Sequence, residues 1–372
     1  MQVLLLGGTG AMGVHLANQL NERGIDVFIT SRRNLTSQYG ITYLQGNAKD
    51  LIFLKSTLSL RAWDAIVDFM IYTTAEFRDR VELLLSSTRQ YIFLSSSRVY
   101  ANTDQPITEQ SPRLLDTTED LEYLSNDEYA LCKARSENLL FNSQRRNWTI
   151  VRPYITYSEI RLQLGTMEKE TWLYRALKGR KIIFAKEFMN KWTTLTYGND
   201  VASALGTLIG RENSFGRIYH ITQPHPQRWS EVLNIYLNTI EAYTNKRPSV
   251  YFVDLESFIS IQSNTYQIIY DRMFNRSFNN RNISEFISVE DFTTPEVGLK
   301  VCLEHFLKDP QFLEINWIHE ANMDRLSKEH TPLTEIEDFK KKICYLCYRY
   351  APLRWRDKLW SIITQMNKII KF

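Results

Sequence analysis

Cysteine is scarce in this chain, with four residues in 372, too few and too scattered for a disulfide framework. Cys344 and Cys347 stand close together, but without a second such pair, and away from a strand end, they suggest neither a metal site nor a redox pair. No metal is expected. Charge of one sign is also lacking. The net charge is only +3 and the basic residues are spread along the chain, so no nucleic-acid partner is expected. No uncharged apolar run reaches the length of a membrane span. Strand-forming residues begin at Gln2, which leaves no room for a signal peptide ahead of the fold. These absences point to a reduced, cytoplasmic globule, and a composition of 44% apolar and 23% charged residues is ordinary for one.

What is present starts at the first residues. An apolar stretch, Gln2–Leu6, runs straight into Gly7, Gly10 and Gly13 at Gly-x-x-Gly-x-x-Gly spacing, and the helical pattern Val14, Leu16, Ala17, Leu20 follows. A strand, a glycine turn and a helix in this order form a phosphate cradle. One glycine makes the turn, one lets a pyrophosphate approach the backbone and one lets the helix pack closely. The helix N-terminus adds free N–H groups and the positive end of its dipole. Gly7, Thr9, Gly10, Ala11, Met12 and Gly13 are therefore expected against a dinucleotide.

The first half of the chain alternates strand and helix. Short, apolar, β-branched strands are expected at Gln2–Leu6, 27–30, Ile41–Gln45, 65–69, 91–94 and 149–151, with helices at 14–23, 51–60, 75–86 and 128–141 between them. Repeated βα units predict an α/β fold, a Rossmann-type doubly wound parallel sheet. The polar segment 102–127, with Pro106 and Pro112, reads as a functional surface loop. Beyond Pro153 the order changes. A helix is expected at Trp172–Leu177, short strands at Ile182–Ala185 and 192–195, and a helix capped by Asp200 through Ile209. A further strand of the main sheet is expected at 218–222, a serine-capped helix at 230–243 and a strand at Val250–Val253. From Glu296 the chain reads as wholly helical. The implied organisation is a dinucleotide-binding domain over 1–155, completed by about 190–222. A smaller mixed α/β substrate lobe covers 156–190 and 223–304, and a helical extension covers 305–372.

Chemistry enters with Tyr129 and Lys133, one helical turn apart on one face. A phenol is a poor proton donor or acceptor at neutral pH, and a neighbouring ammonium favours its ionised form. Upstream, the serine-rich segment Ser95-Ser96-Ser97-Arg98-Val99-Tyr100 ends a strand, where ligand sites of parallel sheets form. A serine hydroxyl there can hold a substrate oxygen while the tyrosine moves the proton.

Together these residues resemble an extended short-chain dehydrogenase/reductase of the nucleotide-sugar epimerase/dehydratase branch. The likeness is carried by Gly7-x-x-Gly10-x-x-Gly13, the Ser-Ser-x-x-Val-Tyr segment at 95–100, Tyr129-x-x-x-Lys133 and Arg152-Pro153. It covers roughly residues 1–305, including the segment 194–202, which is similar to the family's return to the main sheet. The resemblance implies Ser96 as the catalytic serine, Tyr129 as the proton-transfer residue, and Lys133 as the cation beside it that also bonds the nicotinamide ribose. It implies NAD(P) as cofactor and a small-molecule substrate, a sugar nucleotide. Asn47 follows the third strand, where the family contacts adenine, although a simple turn is an equal reading. The second strand ends at Thr30-Ser31-Arg32-Arg33 without the acidic residue that holds a ribose hydroxyl. Arg32 and Arg33 could meet a 2′-phosphate, a mild preference for NADP, or form a solvated basic turn.

The sequence departs from the family in places. Dehydratases of this kind carry Thr-Asp-Glu before Val-Tyr, whereas Ser96-Ser97-Arg98 has no carboxylate, so a 4,6-dehydratase is disfavoured. Epimerisation through a transient ketone, or ketone reduction, needs only Ser96, Tyr129, Lys133 and the nicotinamide. The asparagine that grips many sugar nucleotides is missing after Arg152-Pro153. Arg98 is read as solvent-facing or salt-bridged; Arg161, Arg175, Lys178, Arg180 and Arg281 are read as surface charges that could alternatively meet a diphosphate, and Trp172, Trp192 and Trp229 as core or interface. The competing class is a non-catalytic NADP-binding sensor or RNA-binding scaffold. Finally, Trp355, Leu359, Ile362, Ile363, Met366, Ile369 and Ile370 recur at helical spacing, flanked by lysines and arginines. This stripe is expected to dock on the body or on a second subunit of a homodimer, with peripheral membrane contact as the alternative.

Overall fold

The computed structural model describes residues 1–352, so the stripe expected within 353–372 lies outside the described residues. The centre is a parallel sheet of seven strands: β1 (Gln2–Leu6), β2 (Asp26–Ser31), β3 (Ile41–Gln45), β4 (Trp63–Asp68), β5 (Thr88–Leu94), β6 (Trp148–Pro153) and β7 (Arg217–Ile221). Their order is β7-β6-β5-β4-β1-β2-β3. The winding direction reverses between β1 and β4, so a crevice opens beyond the carboxyl ends of those strands. β1 is apolar at successive positions because both its faces are covered. Val3 and Leu5 pack with Leu16, Ala17 and Leu20 of α1 (Gly13–Glu22), while Leu4 and Leu6 pack with Leu54 and Leu58 of α2 (Leu51–Leu58). The fold is the expected Rossmann-type α/β architecture.

Several elements differ in detail from the sequence reading. The helix expected at 75–86 is two helices, α3 (Thr74–Arg78) and α4 (Val81–Ser86). Arg80 breaks it by turning its buried guanidinium onto the carbonyls of Glu76, Ala48 and Lys49. The segment 102–127 is fastened to the body by two short helices, Leu114–Thr117 and Leu121–Ser125, and by Arg113, which reaches Asn138 and Glu137 of α5 (Tyr129–Phe141). The strand expected at 192–195 divides. Trp192–Thr193 runs antiparallel to Gln227–Arg228, and Leu195–Tyr197 runs parallel to Ile155–Tyr157. Trp192 is 37% exposed beneath the Arg228 guanidinium, unlike the buried Trp172 and Trp229.

Two helix starts differ from the expected caps. Asp200 sits inside the first turn of α6 (Gly198–Leu208), and its carboxylate accepts from the Thr293 N–H at 2.7 Å. Ser230 lies inside α7 (Trp229–Thr244), where Glu231 instead reaches back to the Arg228 N–H at 2.7 Å. The C-terminal part has three α-helices, α8 (Pro295–Lys308), α9 (Trp317–Ser327) and α10 (Phe339–Tyr350), with a 3₁₀ turn at Leu333–Glu335 in the last connection. Among the described residues no helix is long and apolar enough to cross a membrane.

Arg175 and Arg180 are not surface charges. Arg175 is fully buried and bonds Glu320 at 2.7 Å, Asp324 at 2.8 Å and Glu329 at 3.0 Å, while Arg180 bonds Glu335 and forms an ion pair with Glu320. Burial holds the Glu320 carboxyl above its ordinary range even with both guanidiniums beside it. Deleting one partner of such a cluster strands buried charge, so Arg175→Met is expected to cost about 3–5 kcal/mol in denaturant unfolding.

His220 on β7 is the buried peg under the 102–127 segment. Its N–H donates to Glu109 at 3.1 Å, and its Nε2 meets the Asn279 carbonyl. Burial lowers its pKa to about 4. Between the ordinary value near 6.5 and about 4, only the unfolded chain takes up this proton. Stability contributed by neutral His220 is therefore present above pH 6.5 and is lost as pH falls towards 4. His220→Gln should remove about 3 kcal/mol of that acid-side loss, read from unfolding free energies measured across the window.

Candidate active site

The crevice divides into three adjoining cavities. The first, about 420 Å³, is walled by Gly7, Thr9, Thr30, Ser31, Arg32, Gly46, Asn47, Lys49 and Phe69. The second, about 320 Å³, joins Gly7, Gly10, Ala11, Met12 and Gly13 to Ser95, Ser96, Tyr129 and Lys133. The third, about 470 Å³, shares Ser96, Tyr129, Tyr154 and Arg161 with the second and extends to Arg98, Gln163, Glu168, Asn264, Gln267 and Arg272.

The glycine turn is built for close approach. Gly7 has φ +71° and its N–H donates to the Thr30 hydroxyl at 2.9 Å, tying the turn to β2. A Cβ at Gly13 would lie 2.5 Å from the Gly8 carbonyl oxygen, so α1 can start there only on glycine. A Cβ at Gly10 would meet nothing within 4 Å, because that face opens onto the second cavity. These features fit a pyrophosphate at the start of α1. Gly198 adds a close approach that no motif marked: its Cβ would lie 2.3 Å from the Ala11 carbonyl oxygen, which presses α6 against the turn. Arg32 and Asn47 line the first cavity, and the Asn47 side-chain oxygen also accepts from the Lys49 N–H at 3.1 Å. Arg33 is exposed and does not line that cavity; its N–H donates to the Ser31 hydroxyl.

The three serines after β5 have different hydrogen bonds. Ser95 donates to buried Glu137 at 2.6 Å, and Ser97 donates to the Arg152 carbonyl at 2.7 Å. The Ser96 oxygen accepts from the Arg98 N–H at 3.2 Å, which leaves its own O–H to face the second and third cavities. Tyr129, half-buried at the start of α5, lines both. Lys133 is buried, and its ammonium donates to the carbonyls of Leu94 at 2.7 Å and Met70 at 3.2 Å. It lies 5.9 Å from the Tyr129 ring centre, with one N–H beyond those two bonds.

Of the other arginines considered, Arg161 lines both inner cavities and pairs with Glu168 at 2.8 Å. Lys178 and Arg281 are exposed and line none of the three cavities. Arg98 is not solvent-facing. It pairs with Glu128 at 2.6 Å and lies over the Tyr129 ring at 5.1 Å. Arg272, which no spacing flagged, comes from a π-helical turn at Ile268–Arg272.

A family model described as the NAD dependent epimerase/dehydratase family matches residues 3–222. Among curated proteins, the chain is 25% identical over 236 residues to the chloroplast stem-loop binding protein of 41 kDa b of Arabidopsis thaliana, covering 59% of this chain and 58% of that one. It is 22% identical over 246 residues to a 2′-dehydrokanamycin reductase of Streptomyces kanamyceticus, covering 62% and 64%. The chain thus spans about six-tenths of the length of these relatives. Among solved structures, UDP-glucuronic acid 4-epimerase from Bacillus cereus, in complex with UDP-glucuronic acid and NAD, aligns with a TM-score of 0.63 at 14% identity. That alignment covers 83% of this chain and 99% of the epimerase, and shows a shared fold. With a glycine turn, a switch-point crevice and a match over more than half its length, the chain belongs to the NAD dependent epimerase/dehydratase family.

Proposed function

We propose that this chain is an NAD(P)-dependent epimerase or ketoreductase acting on a sugar-like substrate, a nucleotide sugar, through Ser96, Tyr129 and Lys133. The observation that carries the reading is that these three side chains and the glycine turn line one cavity, which continues into a second, polar one. The dinucleotide would lie along Gly7–Gly13, with residues 1–155 and about 190–222 holding it and the remainder up to 304 holding substrate. When bound, a nicotinamide supplies hydride exchange. The chain's own residues do the rest. The Ser96 hydroxyl holds the substrate oxygen, the Tyr129 hydroxyl gives or takes its proton, and Lys133, 5.9 Å from the Tyr129 ring centre, fixes the ribose. A 4,6-dehydratase would need a further acid and base. Ser97 is already committed to the Arg152 carbonyl and Arg98 is a cation, so neither serves.

The curated relative named for stem-loop binding supports a second reading, a nucleic-acid-binding dinucleotide sensor. Hairpin binding at physiological salt, with no turnover of any sugar nucleotide, would favour it. Native mass spectrometry of freshly purified protein separates the two enzyme readings, since a retained dinucleotide indicates an epimerase and an empty protein a reductase.

Tyr129→Phe should lower turnover about 10²- to 10⁴-fold with little change in dinucleotide affinity. Full activity in that variant would remove Tyr129 from the mechanism. Arg32→Ala should weaken NADP more than NAD by roughly 1.5–3 kcal/mol, the usual worth of a charge-assisted contact. Equal losses in calorimetric titrations would exclude a 2′-phosphate partner for Arg32.

A further inference from the structure

The wall of the third cavity carries more positive than negative charge. Arg98 and Arg272 of that wall, with Arg276 behind it, converge on two carboxylates. Glu128 bonds Arg98 at 2.6 Å, and buried Asp271 bonds Arg272, bonds Arg276 at 3.0 Å and stands 3.9 Å from Arg98. The neighbouring Arg161 is already matched by Glu168. Burial, reinforced by the positive charge of Arg98, holds the guanidiniums of Arg272 and Arg276 below their ordinary range. An uncompensated buried cation is costly, and an incoming anion relieves that cost.

Arg98 is the member of this group placed to meet substrate. Its Nε is buried without a hydrogen-bond partner, its side chain is 14% exposed, and it lines the cavity beside Ser96. Its guanidinium carbon is 5.1 Å from the Tyr129 ring centre. A group bound by Arg98 is therefore carried close to the oxygen that Tyr129 serves, on the reacting ring itself. The planar guanidinium fork suits a carboxylate.

We propose that Arg98 is a specificity-determining residue that recognises a carboxylate on the reacting sugar ring, so that the substrate is an acidic sugar of the uronate class. This rests on the reading of Ser96, Tyr129 and Lys133 as the reacting centre. Arg272, Arg276 and Asp271 hold the excess charge in place behind it.

The test uses the full chain with NAD present and compares UDP-glucuronate with UDP-glucose by calorimetric titration. Both carry the same diphosphate, so the ratio of their affinities reports on the ring carboxylate alone. Wild type should favour the acid by about tenfold or more, the scale of a charge-assisted contact. R98M should bring the ratio close to one, and R98K, which keeps the charge but not the fork, should retain part of it. Equal binding of the two sugars by wild type overturns the proposal. So does an unchanged ratio in R98M, or equal weakening of both sugars by R98M, which would make the diphosphate its partner. Equal loss of the ratio in R98K and R98M also overturns it, because that marks Arg98 as a brace for Glu128. Binding of NAD with neither sugar bound overturns the sugar-nucleotide reading, and the proposal with it.

Discussion

The carboxylate of Glu137 is the point at which the site is tied to the sheet. It is fully buried on α5, and both its oxygens accept from Arg152 of β6 at 2.7 Å. It also accepts from the Ser95 hydroxyl at 2.6 Å and from Arg113 at 3.2 Å. One side chain thus fastens the helix bearing Tyr129 and Lys133 to the ends of β5 and β6 and to the 102–127 segment. A buried carboxylate is tolerable only because every neighbour donates to it, and Arg152 is itself steadied by lying over the Tyr100 ring at 4.8 Å. The register of α5 against the serine strand end, and hence the meeting of Ser96 with Tyr129, follows from this bond set.

On that anchored helix and the adjoining end of β5, the polar groups are sorted by what remains unbonded. Ser95 and Ser97 spend their protons on Glu137 and on the Arg152 carbonyl, whereas the Ser96 proton is left facing the cavities. Lys133 spends two donors on the Leu94 and Met70 carbonyls, which orients the ammonium and leaves one N–H beyond those bonds at the second cavity. The structure commits most polar groups to the frame and leaves a small remainder facing the cavities.

The C-terminal helices are integral to the lobe that bears the third cavity. Arg175 and Arg180 come from the segment following Glu168, a cavity residue, and both end in the carboxylates of α9 and the 329–335 connection. Tyr345 of α10 closes the same network through its hydroxyl on Asp324 at 2.7 Å. Packing of the extension is therefore coupled to the cavity wall through a buried ionic cluster.

The central sheet, the glycine turn and the three residues proposed as the reacting trio were all legible in the sequence. Strand alternation, glycine spacing and the four-residue interval from Tyr129 to Lys133 are local patterns, and local sterics and helix geometry suffice to read them. Tertiary structure alone decided which serine hydroxyl is left facing the cavities, and that Arg32 rather than Arg33 lines the first of them. It also turned Arg175 and Arg180 inward and gathered Arg98, Arg161 and Arg272 on one wall from three separate segments. A long charged side chain carries no mark of its partner in the sequence. Burial and ion pairing are fixed only when distant carboxylates such as Asp271, Glu320 and Asp324 arrive beside it, because an unpaired buried charge costs more than the pair.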